Sequence, residues 1–362
     1  MEKFFEIVRN AIERGATDIH LVENLYPLYR INKELIKNEF IDPMNRFDLE
    51  SLMENLVDDS LELVEQFEAE KKLDLSFDVD ETVRLRINAS LAFGVPTFSI
   101  RIIRNKTIDV DSFRLRKIID DMMHINSGLI LITGKVNSGK TTTLNAFIQE
   151  VNKVYNKKIV TLEEPIEYKH TSKKSIIVQK EVSKTGDIPS YYDGVINLLR
   201  EDTDIAIIGE IRDRKTMDAV LDLVEAGGLV IGTLHTRSCG ETLDRILGMY
   251  SPSEQTAIKY SLSSVLKMVV SQKLVKDLNK QTILVNEIMS VNSTIAALIR
   301  QEKFSISEIQ DTIHYSNTKE MISFEKSFVE LYNKGLIDIE GIKNNVENNS
   351  LSLITSLIGG GY

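Results

Sequence analysis

The residues Gly134-Lys135-Val136-Asn137-Ser138-Gly139-Lys140-Thr141 fit the phosphate-loop pattern: two glycines separated by four residues, then lysine and a hydroxyl residue. In such a loop the backbone N–H groups surround a β-phosphate. The lysine reaches the β- and γ-phosphates as a point charge, and the hydroxyl ligates Mg²⁺. Lys140 and Thr141 are the right residue types for this chemistry, and Thr142 extends the hydroxyl run. The middle of the loop is poor in glycine, with Lys135, Val136 and Asn137 between the two. A loop of this shape needs a residue at positive φ, which asparagine tolerates best among the other residues, so Asn137 is expected in the left-handed region. Lys135 adds a positive charge beside the phosphates.

A phosphate loop also needs a carboxylate to organise magnesium and the attacking water. Two stretches offer one. "IVTLEEPIEY" carries Glu163 and Glu164 at a strand end and Glu167 three residues on; "LLREDTDIAIIGEIRD" carries Glu210 and Asp213 after the apolar run Ile205 to Ile208. Carboxylates at the C-terminal ends of parallel strands lie at the edge where open α/β sheets bind ligands. His235 closes "LVIGTLHT" at the same kind of position, within reach of a γ-phosphate or a carboxylate.

The elements that must position these groups are legible from periodicity. Phe4, Ile7, Val8, Ala11 and Ile12 have helical spacing, with Gly15 as a stop. "TDIHLV", "LDLSFDV", "VRLRINASL" and "TFSIRII" alternate as half-buried strands, so residues 1–105 read as a small mixed α+β domain. The polar stretch "RNKTIDVDSF" breaks the pattern and marks a linker, taken as residues 106–118. Beyond it the chain alternates strands and helices, the signature of a mainly parallel, helix-covered sheet over residues 119–345. Its expected buried strands are Gly128 to Thr133, Lys158 to Leu162, Ile205 to Ile208 and Leu229 to Leu234, with a helix at Met217, Val220, Leu221 and Val224 stopped by Gly227. The region after Gly240 reads as mostly helical, and residues 346–362 as a mobile tail with a short apolar stretch able to dock.

Composition excludes several classes. The chain has 362 residues and a formal net charge of -10, against a duplex-DNA binder held by a broad basic surface; no nucleic-acid partner is expected. One cysteine, Cys239, rules out disulfide frameworks and four-cysteine zinc sites. No apolar run approaches the ~20 residues of a membrane span, and the N-terminus lacks a signal-peptide core. A cytoplasmic protein is the simplest reading.

"GKVNSGKTTT", "TLEEPIEY", "LLREDTDIAIIGEIRD" and "GGLVIGTLHT" stand in the order and spacing of the Walker A, Asp box, Walker B and His box motifs. Together they resemble the type II/type IV secretion ATPase superfamily. "GATDIHL", "LDLSFDV" and "RLRINA" resemble the PAS-like N-terminal domain of its type IV pilus retraction (PilT-like) branch. The resemblance spans residues 1 to 340 and implies an α/β fold with a RecA-like core behind a PAS-like domain. It implies ATP and Mg²⁺ as cofactors. It further implies a homohexameric ring at the inner face of the cytoplasmic membrane, held there through partners only. Hydrolysis would change the angle between the domains and act on an inner-membrane platform protein that removes pilin from the fibre, giving twitching motility. Glu210 would orient or deprotonate water, and Glu163 would assist directly or through Mg²⁺, with Thr141, Glu163 and Glu210 as the metal set. Arg86 in "RLRINA" and Arg101 in "FSIRII" match the arginines that reach the nucleotide in such rings, with Arg84 one strand repeat before Arg86. A supplied arginine is worth ~10³ to 10⁵ in rate in phosphoryl transfer.

The chain departs from the family pattern at Lys135 and Thr203, where proline is usual, and at Gly228, where the His box carries a first histidine. "TIAALIR" (Thr294 to Arg300) keeps only part of the retraction segment A-I-R-N-L-I-R. An assembly or type II secretion ATPase of the same superfamily, and a nucleotide-binding regulatory or scaffold protein with little turnover, are the competing readings.

Overall fold

The computed structural model describes residues 1–359 apart from 33, 58–59, 81, 105–107, 112–113, 184–185 and 319. The chain divides into two compact units, Met1–Thr107 with Pro165–Lys169, and Ile108–Glu164 with His170–Tyr362. Of the expected linker, residues 106, 107, 112 and 113 lie outside the described residues. The rest is not a free tether. Ile108 and Val110 are buried, and the Ile108 backbone exchanges hydrogen bonds with the Gln149 amide (3.1 and 2.9 Å).

The N-terminal unit runs α1 (Glu2–Glu13), β1 (Asp18–Leu21), β2 (Leu28–Ile31), β3 (Glu34–Lys37), α2 (Arg46–Val57), α3 (Leu61–Glu70), β4 (Lys72–Asp78), β5 (Val83–Ala92) and β6 (Val95–Arg104). Helix α1 buries Phe4, Ile7, Val8 and Ala11, one apolar stripe of period 3.6. Its sheet has the order β3-β2-β1-β6-β5-β4 with every pairing antiparallel. Along β5, Val83, Leu85, Ile87 and Ala89 point into the core, which turns Arg84, Arg86 and Asn88 to the other face.

The C-terminal unit contains α4 (Arg116–Met123), β7 (Gly128–Thr133), α5 (Lys140–Val154), β8 (Lys158–Glu163), β9 (Ile176–Glu181), α6 (Tyr191–Leu198), β10 (Ile205–Ile208), α7 (Arg214–Glu225), β11 (Leu229–Leu234), α8 (Cys239–Leu247), α9 (Pro252–Val265), β12 (Leu266–Lys276), β13 (Thr282–Ser290), α10 (Ser293–Arg300), α11 (Ile306–Tyr315), α12 (Phe324–Asn333), α13 (Ile339–Lys343) and α14 (Asn348–Gly359). The sheet order is β13-β12-β7-β11-β10-β8-β9, parallel except for the β12–β13 pair. Every residue of β7, β10 and β11 is buried, so these strands are apolar runs rather than alternating ones.

The region after Gly240 is mostly helical as expected, and within it β12 and β13 form a hairpin that extends the sheet beside β7. Of the expected mobile tail, residues 360–362 lie outside the described residues. Residues 348–359 form α14, whose Ile354 is fully buried and whose Leu351 and Ile358 pack on the cluster of Phe324, Phe328, Leu331 and Ile342. Burying one aliphatic side chain contributes about 1.5–3 kcal/mol, enough to hold a short amphipathic helix in place. Among the described residues, no helix is long and apolar enough to cross a membrane.

Candidate active site

Strand β7 ends at Thr133 and the chain turns into α5 through a loop with three residues at positive φ: Gly134 (150°), Asn137 (63°) and Gly139 (90°). Asn137 thus takes the left-handed conformation expected of it. At Gly134 a Cβ would meet the Gln272 carbonyl oxygen at 2.6 Å and the Ser138 side chain, so only glycine fits. Lys140 Nζ donates to the carbonyls of Gly134 (2.9 Å) and Lys135 (3.1 Å) and lies 3.4 Å from His235 Nδ1. Burial pulls the Lys140 pKa down, and the Glu210 carboxylate opposes it. Val136 crests the loop in solvent, and the Ser138 hydroxyl is buried without a protein partner among the described residues. The curled backbone, the orphaned hydroxyl and the lysine suit a polyphosphate with its metal. Behind the loop, Gln272 Nε2 donates to Thr143 Oγ1 (2.7 Å), and Thr142, Thr143, Leu115, Leu274 and Leu284 line a cleft of about 80 Å³.

Glu163 ends β8 and is buried. Its Oε1 accepts from Thr161 Oγ1 (2.7 Å) and Gln179 Nε2 (3.0 Å). Gln179 Oε1 in turn accepts the His170 backbone N–H (2.8 Å), and His170 Nε2 lies 2.5 Å from Asn145 Oδ1. Asn145 Nδ2 donates to the Thr141 carbonyl (2.8 Å). With its amide so oriented, Asn145 offers an acceptor, and His170 Nε2 carries the proton. Burial lowers the His170 pKa to about 4, so the ring is a neutral donor. Glu163 is therefore tied, through three side chains, to the first turn of the phosphate-loop helix. Sequence reasoning missed His170, Gln179 and Asn145. The available signal was a buried asparagine on the apolar side of α5.

Glu210 follows β10 after Gly209, whose N–H donates to the Leu162 carbonyl (2.8 Å) and whose carbonyl accepts from Thr233 Oγ1 (2.5 Å). Glu210 Oε2 pairs with Arg212 Nη2 (2.8 Å), and Oε1 lies 3.5 Å from His235 Nε2. One tautomer of neutral His235 satisfies both neighbours, with Nδ1 accepting from Lys140 and Nε2–H donating to Glu210. Arg212 also reaches Glu164 (3.1 Å) and lies over the Tyr191 ring, 5.9 Å from its centroid. Burial together with Glu164 raises the Tyr191 pKa, so the phenol stays neutral. Asp213 plays a different part, since its carboxylate caps α7 by accepting the Thr216 N–H (3.0 Å).

Residues 2–334 match the family model described as type II/IV secretion system protein. The chain belongs to that family. It is 30% identical over 338 residues to the type IV pilus retraction ATPase PilT of Pseudomonas aeruginosa, covering 93% of this chain and 96% of that one. It is 33% identical over 279 residues to a twitching motility protein of Neisseria gonorrhoeae, covering 76% and 73%. The crystal structure of the pilus retraction motor PilT with bound ADP superposes with a TM-score of 0.86 at 30% identity, over 96% of this chain and 98% of that one. The antiparallel N-terminal sheet and the mainly parallel C-terminal sheet are the fold of this family.

The arginines expected to reach a nucleotide, Arg86 and Arg101, fall in the N-terminal unit. Arg86 on β5 and Arg101 on β6 are direct cross-strand partners, both exposed. Like charges so placed repel, which a nearby anion relieves. Asp18 does so for Arg101, at 3.2 Å. Arg84 pairs with Asp78 at 3.8 Å. Gly228 precedes β11, at the opposite end of that strand from His235. At ~3.3 Å per residue the two are about 23 Å apart. Gly228 therefore lies away from the cluster around Lys140. The "TIAALIR" segment is α10, with Ile295, Ala296 and Ile299 buried and Arg300 bonded to Ser263 Oγ of α9 (3.2 Å).

Proposed function

We propose that this chain is a P-loop ATPase that drives retraction of a type IV pilus. The observation that carries the reading is the line of Lys140, His235 and Glu210, joined at 3.4 and 3.5 Å on the C-terminal edge of the parallel sheet, directly beside the loop. Loop N–H groups from Gly134 to Thr142 and the Lys140 amine hold the β- and γ-phosphates of ATP, and the apolar cleft beside Thr142 suits the base. Thr141 and Glu163 are the residues to hold Mg²⁺, directly or through water; bound there, the ion offsets charge on the transferring phosphoryl group. Glu210 orients or deprotonates the attacking water, and His235 links that carboxylate to the phosphate-bound lysine. Arg86 and Arg101 supply positive charge to a nucleotide, the role their cross-strand repulsion fits.

The working form is a homohexamer on the cytoplasmic side of the membrane, acting on an inner-membrane platform protein. Near-end-to-end similarity to a retraction ATPase supports retraction over assembly. Mg²⁺-dependent ATP turnover by the purified full chain, lost in Lys140→Ala and Glu210→Gln, tests the chemistry. A wild-type hexamer that binds ATP without turning it over would establish the regulatory alternative. Direction is read in cells: deletion leaves excess non-retracting pili if the motor retracts, and no pili if it assembles.

A further inference from the structure

The site holds one strong cation that phosphate binding does not use. Arg212 stands two residues after Glu210, and a single nitrogen, Nη2, contacts Glu210 Oε2 at 2.8 Å and Glu164 Oε2 at 3.1 Å. The two carboxylates come from the ends of neighbouring parallel strands, β10 and β8. The buried Tyr191 ring backs the guanidinium. Beyond Glu210 the line continues through His235 to Lys140. Five side chains thus run in line along the sheet edge: Glu164, Arg212, Glu210, His235 and Lys140.

A lone carboxylate at Glu210 would be drawn toward the Lys140 ammonium, the group that must stay available for phosphate. Arg212 opposes that collapse from the far side. It takes one oxygen of Glu210 and leaves the other aimed at His235.

We infer that Arg212 is a positioning residue for hydrolysis. It holds Glu210 off Lys140 and fixes the carboxylate for its work on water, while Glu164 anchors the guanidinium in turn. This rests on Glu210 acting on the water. Because Arg212 acts through Glu210, its loss should fall on turnover more than on nucleotide affinity. Misplacement of a reacting group by about 1 Å can cost about 10²-fold in rate.

The test uses the full-length chain with ATP and Mg²⁺, following kcat, KM, the Kd for ADP and the melting temperature. Arg212→Ala should lose about 10²-fold in kcat, with KM and the ADP Kd within about threefold of wild type. Arg212→Lys should recover only part of the loss, because an ammonium lacks the planar face that lies over Tyr191. The Arg212 side chain is 54% exposed, so its place is open to solute. Millimolar guanidinium should therefore raise turnover of Arg212→Ala and leave Glu210→Gln inactive. Glu164→Gln should lower kcat in wild type and change it little in the Arg212→Ala background. Wild-type kcat in Arg212→Ala, with Glu210→Gln inactive, overturns the positioning role alone. A loss in Arg212→Ala matched by weakened ADP binding and unrescued by both lysine and guanidinium also overturns it, in favour of a structural role. Full turnover in Glu210→Gln overturns the assignment of Glu210 itself.

Discussion

The tie between Glu163 and the phosphate-loop helix passes through a histidine that must stay neutral, and this makes the fold acid-sensitive at a known place. Burial lowers the His170 pKa from 6.5 to about 4. Between those values the unfolded chain binds a proton that the folded chain excludes, so stability rises with pH there. The contribution is complete above 6.5 and is lost as pH falls toward 4. At pH 5 the linkage relation gives a loss of about 2 kcal/mol from this one group. For a unit of this size that is a drop of about 4–8 °C in melting temperature. His170→Gln supplies the test, since a glutamine amide can still donate to Asn145 Oδ1 but does not titrate. Thermal melts of both proteins at pH 7.5 and pH 5 give a difference of differences in which all other titrating groups cancel. The variant should lose about 4–8 °C less than wild type on acidification. Equal losses in the two proteins would mean that His170 is not held neutral and that the path from Glu163 to Asn145 is not made as described.

Three further outcomes follow from the same geometry. Asn137 sits at φ 63°, so Asn137→Gly should hold or raise thermal stability, while Asn137→Val should lower it by about 1–2 kcal/mol and weaken ADP binding measured by calorimetry. Asp213 caps α7, and Asp213→Ala should cost about 1 kcal/mol in denaturant unfolding with no change in the Mg²⁺ dependence of turnover. A changed Mg²⁺ dependence would instead put that carboxylate in the metal site. At Gly228 an added Cβ meets nothing closer than the Leu223 carbonyl oxygen at 3.6 Å, so Gly228→Ala should keep wild-type stability and ATP turnover in a coupled assay.

How much of this was legible in the sequence depended on whether a residue's role was local. The phosphate loop, the left-handed Asn137 and the four central strands follow from short-range spacing and apolar runs, and the structure has them where the pattern put them. Glu163, Glu210 and His235 could be placed at strand ends because parallel sheets present ligands at one edge. What stayed hidden depends on pairing. "LKMVVSQKLVK" gave no sign that it lies beside β7 as β12. Asp213 reads as a catalytic acid until the helix it caps is seen. Arg212 carries no sign in the sequence of its contact with Glu164, which strand pairing brings beside it. His170 and Gln179 carry no motif of their own; their function comes from what they join.

The same dependence on pairing explains how the loop and His235 keep a common geometry. Register sets Leu234 of β11 opposite Thr133 of β7, so His235 and Gly134 leave the sheet side by side. Beneath them a chain of hydroxyls crosses the core: Ser271 of β12 to Thr133 (2.7 Å), Thr133 to Thr242 of α8 (3.4 Å), and Thr242 to Thr236 (2.7 Å), next to His235. Glu287 of β13 adds a carboxylate bonded to the Cys239 N–H (2.6 Å) at the start of α8. Buried hydrogen bonds of this kind are costly to break singly, because each leaves an unsatisfied partner behind. The loop that contacts phosphate and the turn that carries His235 are therefore fastened to one set of strands. The strand hairpin hidden in the sequence is thus part of what holds His235 beside the phosphate loop.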